Sequence, residues 1–193
     1  AEPESKGAFV DMFEWLESLM AWATAHPDVL LLIKAHPAES RFVEQTPQDW
    51  RIATMLSKQY EALPANVRVI APDDPISSYV LYQLIDAGLV NTSTVGLEMA
   101  LQGRTVVTTG AEVHYAKPGI VLSPRTRDEY FETLDRLADG SELFRPDQDI
   151  ARRYAYTMYF RKSLPFEPID VETWEPVGSR IERLHDLGPG TFP

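Results

Sequence analysis

The residues best suited to chemistry in this sequence come in short clusters, each directly after an apolar run. They are Lys34-Ala35-His36-Pro37, Ala71-Pro72-Asp73-Asp74, Thr92-Ser93-Thr94-Val95-Gly96 and Gly110-Ala111-Glu112-Val113-His114-Tyr115. The Ser93-Thr94-Val95-Gly96 turn is the most informative. Two hydroxyls stand where a strand gives way to a helix, and the free N–H groups and positive dipole end of a helix start favour an anion. Gly96 removes a side chain where a phosphate would approach the backbone. A plain helix cap explains the same Ser and Thr when the turn is taken alone. His36-Pro37 shifts that balance, because the proline biases His36 toward an extended conformation and holds an imidazole where it can donate to a phosphate. His26-Pro27 repeats the dipeptide but precedes its strand, so it belongs to the opposite edge.

The neighbouring polar residues carry less. Glu98, one turn into the short helix, suits a pair of ribose hydroxyls, or equally a capping or solvent-facing role. His114 and Tyr115 fit the sugar or pyrophosphate side of a ligand, or loop packing. Asp74 reads as a helix cap, and Asp73 as a loop or base-recognition residue. Arg152, Arg153, Arg161 and Lys162 form a basic cluster in an acidic chain and are best read as a solvated face. No metal site is expected: the four histidines are scattered, and no acidic pair is taken as an Asp-x-Asp metal motif. Neither a Gly-x-Ser-x-Gly elbow nor a Gly-x-Gly-x-x-Gly fingerprint occurs.

The elements that must position these clusters follow from periodicity. Phe9, Phe13, Leu16, Met20 and Ala23 share one helical stripe, so a helix is predicted from Phe9 to Ala25, ended by His26-Pro27. Val29 to Ile33 is a short apolar run suited to a strand buried on both faces. Thr46-Pro47 opens a helix carrying Ile52, Leu56 and Tyr60. Further strands are expected at Asn66–Ile70, Gly88–Asn91, Thr105–Thr109 and Ile120–Leu122. Helices are expected after Asp74-Pro75, from Thr94 to Leu101, and from a Thr126–Glu129 capping box to Gly140. The alternation predicts an open, parallel, doubly wound Rossmann-like α/β sheet, in which ligands bind beyond the carboxyl ends of the strands. All four clusters lie there. Residues 1–150 are assigned to this domain. Residues 151–193, with a helix over Ile150 to Leu164 and a Pro-rich, aromatic tail holding a short helical stretch near Arg180 to Leu187, are expected to pack on it or on another domain.

Bulk composition narrows the partners. The 193 residues carry a net charge of −11, which argues against nucleic acid and anionic lipid as ligands. A single phosphate remains compatible, because local dipoles and a few side chains override the global field. Without cysteine there can be no disulfide or thiolate metal site. No run is long and apolar enough to cross a bilayer. The opening Ala1-Glu2-Pro3-Glu4 has no basic start and no initiator Met, the expectation being a piece of a longer polypeptide; Ala1 to Gly7 is polar.

In order and spacing, Leu31-Leu32-Ile33-Lys34-Ala35-His36-Pro37, then Asn91 to Gly103, then Thr105 to Gly110 with Tyr115, resembles the capsule polysaccharide biosynthesis family. The stretch Ala151-Arg152-Arg153-Tyr154 through Leu164-Pro165 is similar too, so the likeness runs from about Phe9 to Pro165. That family includes Kdo (3-deoxy-manno-octulosonic acid) transferases with a CMP-linked donor. The resemblance implies the C-terminal, donor-binding domain of a two-domain GT-B glycosyltransferase. His36, Pro37 and the Ser93, Thr94 and Gly96 turn would hold the donor phosphate, Glu98 the ribose, and His114 and Tyr115 the sugar side. It implies no cofactor, only a nucleotide-sugar substrate. It also implies a glycan or glycolipid acceptor bound through a missing N-terminal domain, where the catalytic base would reside. A cytoplasmic location follows, with peripheral association with a capsule assembly complex at the inner face of the membrane. Transferases of CDP-glycerol or a UDP-sugar, and nucleotide-sugar epimerases, share these features. A non-catalytic nucleotide-binding scaffold domain in capsule assembly is the reading from another class.

Overall fold

The computed structural model describes residues 7–41, 51–110, 113–141 and 144–162. The chain forms two compact units, Ala1–Ala151 and Arg152–Pro193. In the first, helix α1 (Met12–Ala25) leads to strand β1 (Leu31–Lys34), the single-turn helix α2 (Ala38–Arg41), helix α3 (Ile52–Gln59) and strand β2 (Val67–Ile70). Helix α4 (Ser78–Leu84), strand β3 (Ala87–Val90), helix α5 (Val95–Leu101), strand β4 (Thr105–Thr108) and helix α6 (Arg127–Ala138) follow. The division between units falls in helix α7 (Gln148–Tyr156), which continues into a π-helical stretch, Thr157–Arg161.

The strands are parallel but form two ladders, not the single open sheet expected from the alternation. β1 pairs with β2 from Leu31↔Val67 to Lys34↔Ile70, and β3 with β4 from Ala87↔Thr105 to Val90↔Thr108. Among the described residues no strand bonds β1 to β3. The predicted strand Ile120–Leu122 contributes one parallel bridge, Leu122↔Val107. Thr108 N–H donates to the Leu122 carbonyl at 2.9 Å and Leu122 N–H to the Val106 carbonyl at 2.9 Å.

Local chemistry moves several boundaries. Asp11, in an extended conformation, accepts from the N–H groups of Phe13 and Glu14 at 2.9 Å, so α1 begins at Met12 and not at Phe9. Phe9 instead meets Tyr130 edge-on at 5.1 Å. Asp74 accepts from Ile76 N–H at 2.9 Å in a local turn, and Ser77, not Asp74, caps α4 through Tyr79 N–H. The Thr126–Glu129 capping box forms as predicted. Gly103 and Gly140 close α5 and α6 at φ of +75° and +71°. The Thr46-Pro47 helix start and the tail from Ser163 onward lie outside the described residues.

One core holds both ladders. Leu16, Met20 and Ala23 of α1 pack with Leu31, Ile33, Val67, Val107, Tyr130 and Leu134. α1 and α6 are also tied by polar contacts. Trp15 Nε1 donates to the Tyr130 hydroxyl at 2.9 Å, and Trp22 Nε1 to Asp135 at 2.7 Å. Asn66 pins the return of α1 into β1. Its side-chain amide reaches the carbonyls of Ala23, His26 and Val29 at 2.8, 3.1 and 2.8 Å.

Candidate functional site

His36 stands two residues beyond the end of β1, exposed, at the carboxyl edge of the first ladder. Its Nδ1 accepts from Ala38 N–H at 3.1 Å. Glu39 returns the contact, one carboxylate oxygen accepting from His36 N–H at 3.4 Å and the other from Ile52 N–H at 3.1 Å. The reciprocal pair is like a capping box, except that the imidazole accepts two residues on, from Ala38 N–H, and not from Glu39 N–H. With Nδ1 accepting, a neutral ring would carry its proton on Nε2, which has no hydrogen-bond partner among the described residues. Glu39 is a positioning residue that the sequence reading passed over. The His-x-x-Glu spacing was the available signal.

The second cluster forms at the carboxyl edge of the other ladder. Ser93 Oγ accepts from Val95 N–H at 3.3 Å, so Ser93 caps α5, while Thr94 makes no capping bond with its side chain and is exposed. The N–H groups that open α5 are already used. Gly96 donates to the Ser93 carbonyl at 3.3 Å, and Leu97 and Glu98 to the Thr94 carbonyl at 3.0 and 3.4 Å. With only seven helical residues behind it, α5 contributes little as a dipole. An anion here would meet the Thr94 hydroxyl and side-chain donors.

Tyr115 explains the glycine. The ring is fully buried and its hydroxyl donates to the Ser93 carbonyl. A Cβ on Gly96 would lie 2.4 Å from that hydroxyl oxygen and 2.9 Å from two ring carbons. Gly96 therefore lets Tyr115 cross the start of α5, and the space beside it belongs to the ring. His114 is exposed and meets Tyr115 edge-on at 5.2 Å. Thr109 extends the link, its hydroxyl donating to Asn91 at 3.2 Å.

Glu98 lies on α5 beside α4. Tyr82, on α4, is buried with its hydroxyl lacking a hydrogen-bond partner among the described residues. Burial chiefly, and the Glu98 charge second, push that hydroxyl up to about 12; the neighbouring Ser78 hydroxyl offsets this slightly. Ser93, Gly96, Tyr115 and His114 are thus one assembled cluster. His36, Pro37 and Glu39 are another, after β1. No described contact joins the two.

Asp73 is exposed and Asp74 is spent on its own turn. Asp147-Gln148-Asp149 does spell Asp-x-Asp, against the sequence reading. Asp147, however, accepts from Asp149 and Ile150 N–H at 2.9 and 3.1 Å, the work of a helix cap. Among the described residues no group of three His, Asp or Glu could hold a metal ion. None of the described helices is long and apolar enough to cross a membrane. A family model described as capsule polysaccharide biosynthesis protein matches residues 6–145. No curated protein and no solved structure gives a significant match.

Proposed function

The chain belongs to the capsule polysaccharide biosynthesis family, and we propose that it is the donor-nucleotide-binding part of a glycosyltransferase that uses a CMP-activated, Kdo-like sugar. The observation that carries this reading is the His36 cap. Nδ1 is consumed by Ala38 N–H, which leaves Nε2–H as a donor at the carboxyl edge of a parallel ladder. The Thr94 hydroxyl stands at the same edge of the other ladder, in a turn held from behind by Tyr115. Lys34, the last residue of β1, adds a positive charge with no ion pair among the described residues. In a chain of net charge −11 these local groups oppose a repulsive global field. In the transfer step they would offset charge gathering on the departing nucleotide phosphate, which is where electrostatic stabilisation lowers the barrier. Glu98, and His114 with Tyr115 behind it, complete the proposed ribose and sugar sides. On this reading the acceptor and the catalytic base belong to a further domain.

Calorimetric titration with CMP, CDP, UMP and UDP tests the proposal, with a preference for the cytidine nucleotides expected. His36→Asn keeps a capping acceptor but not the Nε2 donor. It should weaken CMP binding roughly tenfold or more, the worth of one hydrogen bond to a charged group. Equal binding of all four nucleotides, or none, would turn the reading toward a scaffold.

A further inference from the structure

We infer that Tyr82 is a positioning residue for the ribose side: its buried hydroxyl donates to the Glu98 carboxylate when a ribose is bound, and so sets a preference for ribonucleotides over 2′-deoxyribonucleotides. The inference deepens the nucleotide reading and rests on the ribose role proposed there for Glu98.

Tyr82 breaks a rule of buried side chains. It is 3% exposed, and its hydroxyl finds no hydrogen-bond partner among the described residues. A buried donor in that state destabilises the fold, because it gives up water without a replacement bond. Packing alone does not call for the hydroxyl, since phenylalanine fills the same space without it. The ring meets Tyr79 edge-on at 5.5 Å, a contact that phenylalanine would keep. Violations of this sort gather at functional sites, where they are offset by what the group does there.

The acceptor follows from how α4 and α5 lie. α4 leads into β3 and α5 leads out of it. A Cβ built on Gly88, in β3, would collide with the Met99 side chain of α5 and lie 3.8 Å from Cδ1 of Ile85, the C-cap of α4. The two helices therefore reach the same face of β3. Arg104, just beyond α5, donates through Nη2 to the Gln83 carbonyl at 3.3 Å, which ties their far ends together. Tyr82 and Glu98 each fall within one turn of those ends. The Glu98 carboxylate is near enough for its charge to add to burial, the larger cause, in pushing the Tyr82 hydroxyl up to about 12. Ser78, one turn back on α4, is the other polar neighbour and works weakly the opposite way. Between the two, an ionised carboxylate is the stronger acceptor.

A carboxylate has two oxygens and lone pairs enough for several donors. Glu98 is half-buried, so one side can face Tyr82 while the other stays open to a ligand. Gripping two ribose hydroxyls requires the side chain to settle in one rotamer, which costs conformational freedom. A donor from behind offsets part of that cost. The C2′ hydroxyl is the group that a deoxynucleotide lacks, so a firmer grip on it appears as ribose selectivity.

Calorimetric titration of the 193-residue chain with CMP and 2′-deoxy-CMP tests the pair. The parent should bind CMP about tenfold or more tighter than the deoxy analogue, the worth of one hydrogen bond to a charged group. Tyr82→Phe should cut that ratio by about threefold or more, through weaker CMP binding with deoxy-CMP little changed. Its melting temperature should be no lower than the parent's, because the free protein loses no hydrogen bond. Glu98→Gln should also cut the ratio, and adding Tyr82→Phe to it should change nothing further. An unchanged ratio in Tyr82→Phe, or equal losses for both nucleotides, would mean a packing role. So would a second loss of the same size in the Glu98→Gln background. Each of these overturns the inference and leaves the nucleotide reading standing. CMP binding without ribose preference in the parent would overturn the ribose role of Glu98 and this inference together, and no CMP binding would overturn the nucleotide reading as well.

Discussion

Gly96→Ala separates two explanations of one glycine. If Gly96 serves the approach of a ligand, the substitution leaves the free protein intact and removes binding. If it serves Tyr115, the new methyl lies 2.4 Å from the hydroxyl oxygen and 2.9 Å from two ring carbons, and the ring must move. Tyr115 is fully buried and its hydroxyl is bonded to the Ser93 carbonyl, so movement breaks that bond and disturbs close packing. Overpacking costs about 1–3 kcal/mol and the lost hydrogen bond about 1 kcal/mol. Against this, alanine is favoured over glycine in a helix by just under about 1 kcal/mol. The expected net loss is about 1–3 kcal/mol, read by urea denaturation. Repeating the substitution in a Tyr115→Ala background removes the obstacle, and there Gly96→Ala should be neutral or slightly stabilising. A coupling of roughly 2 kcal/mol between the two sites is the signature. A loss below about 0.5 kcal/mol in the parent chain, or the same loss in both backgrounds, would refute the packing argument.

Asn66→Ala should cost about 2 kcal/mol, because it strips the carbonyls of Ala23, His26 and Val29 of their shared donor. For a chain of this size that is a fall of roughly 4–8 °C in melting temperature. Asn66→Asp, which cannot donate, should be worse, and a change within about 1 °C for both would contradict the pin. In alkaline titration, Tyr82 and Tyr130 should ionise late, above the ordinary tyrosine value. Burial is the first cause in each case: Tyr82 is pushed up to about 12 from 10.0, with Glu98 adding to it, and Tyr130 is raised further despite the bond from Trp15. Because the folded state holds these protons more tightly, their contribution to stability is complete below pH 10; that of Tyr82 is lost as the pH climbs through about 12, and that of Tyr130 higher still. Near-ultraviolet absorbance of tyrosinate follows this directly. A single step near pH 10 in still-folded protein would argue against it, and Tyr82→Phe should delete part of the late step.

The sequence by itself determined what depends on neighbours along the chain. The 3.6-residue stripe of Leu16, Met20 and Ala23, the Thr126–Glu129 capping box, and the glycines closing α5 and α6 were all legible, because propensity and capping act within a turn or two. The parallel arrangement of short apolar runs was legible from their alternation with helices, and with it the placement of His36 and Ser93 just after strands. Boundaries slipped where two side chains compete for one role, as Asp74 and Ser77 do ahead of α4. Only the tertiary structure decided how the strands group, since ladder edges are satisfied or left open by partners remote in sequence. It likewise decided what Gly96 is for: its partner lies 22 positions from Ser93 in the chain, at Tyr115, and no local rule reveals which ring will cross a helix start. Short-range bonding can be read from spacing, whereas the filling of a given volume is settled only once distant segments have folded into it.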